Sequence, residues 1–417
     1  MNKKIVSFSL LFVIIASLLI HVKSPAQAIA TFTFQPVTGA ARGYLTTPQE
    51  LTAIRNLAAQ GVEPYKYNVD RLLRDAGDPL KWDYGTVGGS IQAVSGDCYS
   101  PTNTKWDLYF AENYGAQEVY RKMIAYYLSG NIAYARNARE KILDLTDTFD
   151  FGGEVYSGNN QCILELGFAL PVWIQAADLL AGTSVWSASD KLNFQRWLAQ
   201  QAYPKVAWAS RVRTNNWGAA GSLVASLIAD YVYGSGLNLN EVSPTRITLT
   251  PAQAYVQHND MQVKRMTGAL KGDSQCAIWG IQWYGGIPDE TRRGATGCNG
   301  QWIVAQDQSL SYQTLHVEIL VYHAEFLLRR GSDLLYKDGR ILKAIKFVVN
   351  NPVGVSVPWI DYRKSLMFVA NYYYDSTTLR TSALSLETFK GGGVIPYGKL
   401  THPLGYRTIV YTSQAPR

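Results

Sequence analysis

From Ala220 onward, apolar residues recur at Leu223, Val224, Leu227, Ile228 and Tyr231, the three-and-four spacing of one helical face. No proline interrupts this run, and Gly221 is its only weak helix former. Thr214-Asn215-Asn216 stands just ahead of it, and Asn is a favoured helix-starting residue. The stretch Arg211–Tyr233 therefore reads as a capped, buried helix around which the chain is organised. Its start brings two carboxamides, Arg211 and Arg213 to the end of a helix that carries unsatisfied N–H groups and about half a positive charge. Such an end is either an ordinary Asn cap with solvated arginines or a pocket for the carboxylate of an acidic substrate.

The same periodicity predicts helices on both sides. Thr47-Pro48-Gln49-Glu50 has the cap, the first-turn proline and the acid of a capping box, opening a helix that runs to about Ala76. Residues 78–105, rich in Gly, Ser, Pro and Asp, read as a long loop. Tyr120, Met123, Ile124, Tyr127 and Leu128 form a stripe ending at Gly130, and Ala135, Ala138, Ile142, Leu145 and Phe149 form the next. Cys162–Leu180 is apolar nearly all round and so reads as buried. Ser187-Ala188-Ser189-Asp190 has capping-box spacing. Thr250-Pro251 starts a helix with Ala252, Tyr255, Val256, Val263, Met266 and Leu270 on one face. Residues 271–308 are loop-like, Leu310–Arg330 is a long helix stopped by Gly331, and Ile341–Val349 is a shorter one. Helices joined by alternating short and long connections predict an all-α fold of stacked hairpins, of the kind that closes into an incomplete α/α toroid. From Val355 the β-branched and aromatic runs predict strands or irregular cover over 355–417.

Residues 1–30 change the picture of where the chain works. Lys3 and Lys4 precede an apolar run, Ile5 to Ile20, and small residues around Ala26–Ala30 offer a cleavage site, so the segment reads as a removed signal peptide. Residues 31–417 then form one exported domain, periplasmic or secreted, with no stable membrane anchor. Lys3, Lys4 and Lys23 lie in the leader with no acid beside them, which takes the formal charge from +7 to +4. This suits an acidic partner but lacks the dense Lys/Arg run that grips nucleic acid. Four cysteines, Cys98, Cys162, Cys276 and Cys298, allow three pairings, of which Cys276–Cys298 with Cys98–Cys162 is favoured. No CxxC or HxxxH spacing marks a metal site, and no cofactor is implied.

Beyond the leader, the histidines are His258, His316, His323 and His402. Tyr312 and His316 stand four apart on one helix and share a face. The loop Asp273–Asp307 gathers Trp279, Trp283, Tyr284, Asp289, Glu290, Arg292, Arg293, Gln301 and Gln306, a mixture typical of binding loops. Asp289-Glu290 has the chemistry of a general acid, but adjacent residues rarely address one bond, and no second separated carboxylate is evident. There is no GxSxG elbow, P-loop or dinucleotide fingerprint.

Asn215-Asn216-Trp217-Gly218, the Thr250-capped helix bearing His258, and Gln306-Asp307-Gln308-Ser309-Leu310-Ser311-Tyr312 occur in an order that resembles the α/α-toroid polysaccharide lyases of the alginate lyase superfamily, in particular the glucuronan-lyase-like branch. The helical pair Glu112–Gly130 and Tyr134–Phe149, and Leu164–Leu180 ending in Ala176-Ala177-Asp178-Leu179-Leu180, look like that family too. The likeness spans about residues 36 to 350. It implies β-elimination on a uronate polymer, with Asn216 neutralising the carboxylate, Tyr312 as base and His258 assisting charge neutralisation or proton transfer. Asn215, Trp217, Tyr284, Arg292, Arg293, Gln306 and His316 are the expected substrate-binding residues, and the expected partner is an acidic polysaccharide met by a monomer.

Two positions depart from the family pattern. Trp217 stands where alginate-type members carry His, and Gln306 stands where the family has an Arg six residues before its Tyr; Arg292, Arg293 or His316 would have to stand in for that cation. These departures keep two alternatives open: a binding protein without lyase activity on the same fold, and an inverting glycoside hydrolase using Asp289 or Glu290.

Overall fold

Local chemistry starts the helices where the sequence places them. In the computed structural model, which describes residues 32–37, 39–63, 65–77, 91–92, 114–150, 161–242, 244–271, 276, 278–292 and 307–350, Thr47 and Glu50 form a complete capping box at helix α1 (Pro48–Ala59). Ser187 and Asp190 do the same at α6 (Ala188–Trp197), as do Thr250 and Gln253 at α9 (Pro251–Thr267). The single helix expected up to Ala76 is two, α1 and α2 (Tyr65–Gly77), because Gly61 takes a left-handed φ of 78° that ends the first.

Hairpin α3/α4 (Tyr114–Ser129 and Ile132–Thr148) turns at Gly130, with Asn131 capping the second helix. Helix α5 (Gln161–Leu180) follows and is buried throughout from Ile163. After α6, a π-helical turn (Leu198–Ala202) leads into α7 (Tyr203–Val212). Then come α8 (Asn216–Val232) and, past a small antiparallel ribbon of β3 (Leu239–Glu241) with β4 (Ile247–Leu249), α9. The remaining helices are α10 (Pro288–Thr291), α11 (Asp307–Arg329), α12 (Leu334–Lys337) and α13 (Arg340–Asn350). Two two-residue strands, β1 (Ile91–Gln92) and β2 (Phe149–Asp150), pair in parallel. The fold is all-α, a toroid of helical hairpins. The expected strands beyond residue 355 lie outside the described residues.

Helix α8 is the hub. It packs on α5, α7, α9 and α11 and exposes almost nothing: only Trp217 of its 17 residues is more than marginally accessible. Small residues allow this. A Cβ on Gly167 of α5 would sit 2.7 Å from the Ala220 Cβ, and one on Gly221 would meet the Val206 carbonyl at 2.6 Å. Both glycines are therefore places of close helix approach.

Helices α5, α8 and α11 run parallel, and their C-terminal ends are tied together by buried charge. Arg330, just past α11, makes a bidentate pair with Asp230 at 3.0 and 2.9 Å and donates to the Gly43 carbonyl at 3.0 Å. Its guanidinium lies 5.0 Å from the Tyr44 ring and 5.2 Å from that of Phe326. Asp178 near the end of α5 accepts from the Arg42 and Gly43 N–H groups at 2.6 and 2.8 Å. Breaking such a buried pair costs about 3–5 kcal/mol, because the surviving charge is stranded. The N-terminal ends of α8 and α11 lie together at the opposite end, and there the candidate site is built.

Candidate active site

Asn215 caps α8 as expected, its Oδ1 accepting from the Trp217 N–H at 3.2 Å. Asn216, the first residue of the helix, is fully buried, and neither its Oδ1 nor its Nδ2 has a hydrogen-bond partner. A buried carboxamide left unsatisfied is costly and marks either a ligand-binding group or a water site. Trp217 is half-exposed and shares Arg213 with Trp208: the guanidinium lies 5.0 Å from one ring and 5.4 Å from the other.

The anion at this helix end is the chain's own. The fully buried carboxylate of Glu290, on α10, accepts the Asn216 backbone N–H. The same Oε1 takes a hydrogen bond from His316 Nδ1 at 2.9 Å, while Oε2 has no partner. The first backbone N–H of the helix is thus taken from within the chain, and the Asn216 side chain is open to a ligand there. The neighbouring Asp289 turns elsewhere, accepting from Thr214 Oγ1 at 2.9 Å and from Arg292 Nε at 2.9 Å. Arg292, expected to bind substrate, thus forms an ion pair within its own helix turn.

Helix α11 completes the constellation. His316 lies one turn beyond the half-buried Tyr312, on the same face. Because a carboxylate oxygen only accepts, His316 Nδ1 carries the proton in that bond, which leaves Nε2 as the acceptor of the neutral ring. Gln313, next to Tyr312, clamps the preceding loop by accepting from the Ile287 N–H at 2.9 Å and donating to the Gly285 carbonyl at 3.0 Å. Tyr312, His316, Glu290 and Asn216 are therefore held as one unit by α8, α10 and α11.

His258, expected to assist charge neutralisation or proton transfer, has a set of buried partners of its own. It is fully buried on α9, whose inward face carries Tyr255 and Met266 of the expected apolar set and, beside them, the buried polar residues His258, Asn259, Gln262 and Arg265. Its Nε2 lies 2.8 Å from the Tyr203 hydroxyl and its Nδ1 2.9 Å from Ser210 Oγ. Donor directions are consistent along the whole chain. Arg265 gives to Ser222 at 2.9 Å and Ser222 to Ser210 at 2.7 Å; Ser210 gives to His258, His258 to Tyr203, and Tyr203 to Glu241 at 3.1 Å. A buried cation and a buried anion are thus joined through neutral groups. Burial pushes the His258 imidazole below its ordinary range, which keeps it neutral. Glu241 is disfavoured as an anion by burial, but its bonds to His258 and Arg211 outweigh this and hold it at about 2. Arg265 also grips the Arg213 carbonyl at 2.9 Å, just ahead of α8, and so supports the site from behind.

Two comparisons give no match: no protein-family model fits the chain, and no curated protein resembles it. Solved structures do. An alginate lyase from Bacteroides ovatus aligns with a TM-score of 0.57 at 16% identity, over 88% of this chain and 99% of its own. Alginate lyase A1-III from Sphingomonas species A1 aligns with a TM-score of 0.52 at 16% identity, over 89% of this chain and 97% of its own. The chain has the alginate-lyase fold.

On this alginate-lyase fold, the Asn216 backbone and His316 are joined through Glu290, with Asn215 and Trp217 flanking Asn216 on α8 and Tyr312 one turn before His316 on α11, while Tyr284 packs at the loop beyond, its ring 5.8 Å from that of Phe347. Arg293 and Gln306 lie outside the described residues. So do Cys98 and Cys298; Cys276 is disulfide-bonded. No group of three or more His, Cys, Asp or Glu suited to a metal occurs among the described residues. Sequence reasoning missed that Glu290, Thr214 and Gln313 organise the site. Pro288-Asp289-Glu290 announces a short helix start, but nothing in it names a partner 74 residues away.

Proposed function

We propose that the protein is an exported polysaccharide lyase that cleaves a uronate-containing polysaccharide by β-elimination. The observation that carries this reading is the unsatisfied, fully buried Asn216 carboxamide at the positive end of α8, on a residue whose backbone N–H is linked through Glu290 to His316, one turn from Tyr312. The Asn216 amide hydrogen-bonds the uronate carboxylate and stabilises the negative charge that develops on it as the C5 proton leaves. Tyr312, its own proton passed to His316 Nε2, takes that proton as a phenolate. The C–H electrons become the C4–C5 double bond, the C4–O4 bond breaks with its electrons going to O4, and Tyr312 returns the proton it took to O4 as it leaves. His316, its tautomer fixed by Glu290, is the proton-transfer partner of Tyr312 where the family pattern would supply other groups.

The hydrolase alternative draws no support from the carboxylates. Asp289 is bound to Thr214 and Arg292, and Glu290 to Asn216 and His316, so neither is presented as a free acid–base pair. The test is ultraviolet detection of unsaturated uronate on glucuronan, alginate and pectate, with the wild type beside Tyr312→Phe. Product from the wild type and at least a hundredfold less from the variant is expected, the scale of general-base catalysis being about 10²–10⁴. No product on any polymer, with polymer binding retained, would move the assignment to a binding protein.

A further inference from the structure

Trp283 is 75% exposed, alone among the tryptophans of the described residues in standing so far into solvent. Leaving that much indole in water is unfavourable by the scale of burying an aromatic side chain, so its mounting matters. The mount is rigid. Gln282 N–H donates to the Gly286 carbonyl and Gly285 N–H to that of Gln282, each at 2.9 Å, closing a tight turn. Gly285 has φ 98°, and a Cβ there would lie 2.2 Å from the Lys343 carbonyl of α13, so only glycine lets the turn sit on that helix. On one side Ile281 N–H donates to the Met266 carbonyl of α9 at 2.9 Å. On the other, Gln313 of α11 holds Gly285 and Ile287. Tyr284 stands edge-on to the indole, ring centroids 5.4 Å apart at 87°, and is itself backed by Phe347.

Three helices thus fix a turn whose one outward side chain is a flat apolar ring. The turn is bolted to Gln313, the residue beside Tyr312, and Trp283 is two residues from the bolted Gly285, at most about 7 Å of chain. A rigid, exposed indole at that place fits the apolar C–H face of a pyranose ring.

We propose that Trp283 is a stacking platform for a sugar unit of the bound polymer a few units from the cleaved bond, a distal subsite that makes the protein favour long chains. This rests on the polysaccharide reading above. It concerns binding only, so the two can fail separately. A pyranose stacked on one indole face, like an aromatic pair, is expected to contribute about tenfold in affinity, or about 1.4 kcal/mol.

The test is calorimetric binding of uronate disaccharides and hexasaccharides, from both glucuronan and alginate, to the Tyr312→Phe protein with and without Trp283→Ala. Trp283 is exposed and its turn is held by backbone bonds, so the alanine variant keeps the fold. Trp283→Phe serves as the conservative control. The expected result is an about tenfold loss of hexasaccharide affinity in Trp283→Ala, unchanged disaccharide affinity, and substantial recovery in Trp283→Phe. Equal hexasaccharide affinity with and without the indole overturns the platform, as does a parent protein that binds both lengths alike. Absence of unsaturated product from the Tyr312-containing protein, with the Trp283 effect present, would overturn the lyase reading and leave the platform standing.

Discussion

Replacing Glu290 probes whether the candidate site is held together as described. The carboxylate is fully buried and accepts two hydrogen bonds, from the Asn216 backbone and from His316. Bonds to a charged group are worth about 1.5–3 kcal/mol each, which sets the gross loss in Glu290→Ala at about 3–6 kcal/mol. Relief of the carboxylate's own desolvation offsets part of this, so a net loss of about 3 kcal/mol is expected. Glu290→Gln keeps a carbonyl oxygen in nearly the same place and loses only the charge. The interaction of that charge with the α8 terminus is worth about 0.3–1 kcal/mol, rising to about 2 in buried geometry, so the glutamine variant should lose about 1 kcal/mol. Urea midpoints of the three proteins, compared at a common slope, read this order directly. An alanine variant no less stable than the glutamine one, or both within about 0.5 kcal/mol of wild type, would refute the bridging role. Elimination assayed on the same samples separates two roles for the carboxylate. Glu290→Gln retains activity when Glu290 only orients His316, and loses all turnover if Glu290 is itself a general acid.

Two further outcomes follow from other parts of the fold. Burial raises Asp178 to about 6, against the stabilising bonds from Arg42 and Gly43, so the folded state holds a proton that the unfolded chain releases near pH 4. Its contribution is fully present below about pH 4 and is lost as pH rises through 6, a change of about 3 kcal/mol; Asp178→Asn should therefore gain stability relative to wild type between pH 4 and 7, and a constant difference in thermal midpoint across that range would count against it. Gly218→Ala would place a Cβ 1.9 Å from the Arg213 carbonyl and 2.6 Å from the Arg265 guanidinium. The helix-propensity gain of about 1 kcal/mol is outweighed by about 3 kcal/mol of overpacking two residues from Asn216, so both the unfolding midpoint and activity should fall; an alanine variant as stable as wild type would show that the Arg213 turn yields freely.

What the sequence determined by itself are features whose partners lie within a few residues. The caps at Thr47, Ser187, Asn215 and Thr250, the stops at Gly130 and Gly331, and the Tyr312/His316 face each follow from bonds spanning two to four positions, and the structure reproduces them. Apolar period 3.6 located the long helices for the same reason, and left unforeseen the break at Gly61 and the short helices α10 and α12. Tertiary structure decided everything that depends on which distant group arrives. The inward face of α9 buries His258 and Arg265 beside Tyr255 and Met266 because α7, α8 and β3 supply Tyr203, Ser210, Ser222 and Glu241 as their partners, which a pattern that scores burial by apolarity does not foresee. The α8 terminus attracts an anion by its own charge, a local property, but that the anion is Glu290, with the Asn216 side chain left unpartnered, is set by how α10 packs between α8 and α11. A helix end announces the charge it wants; the fold alone chooses which carboxylate comes.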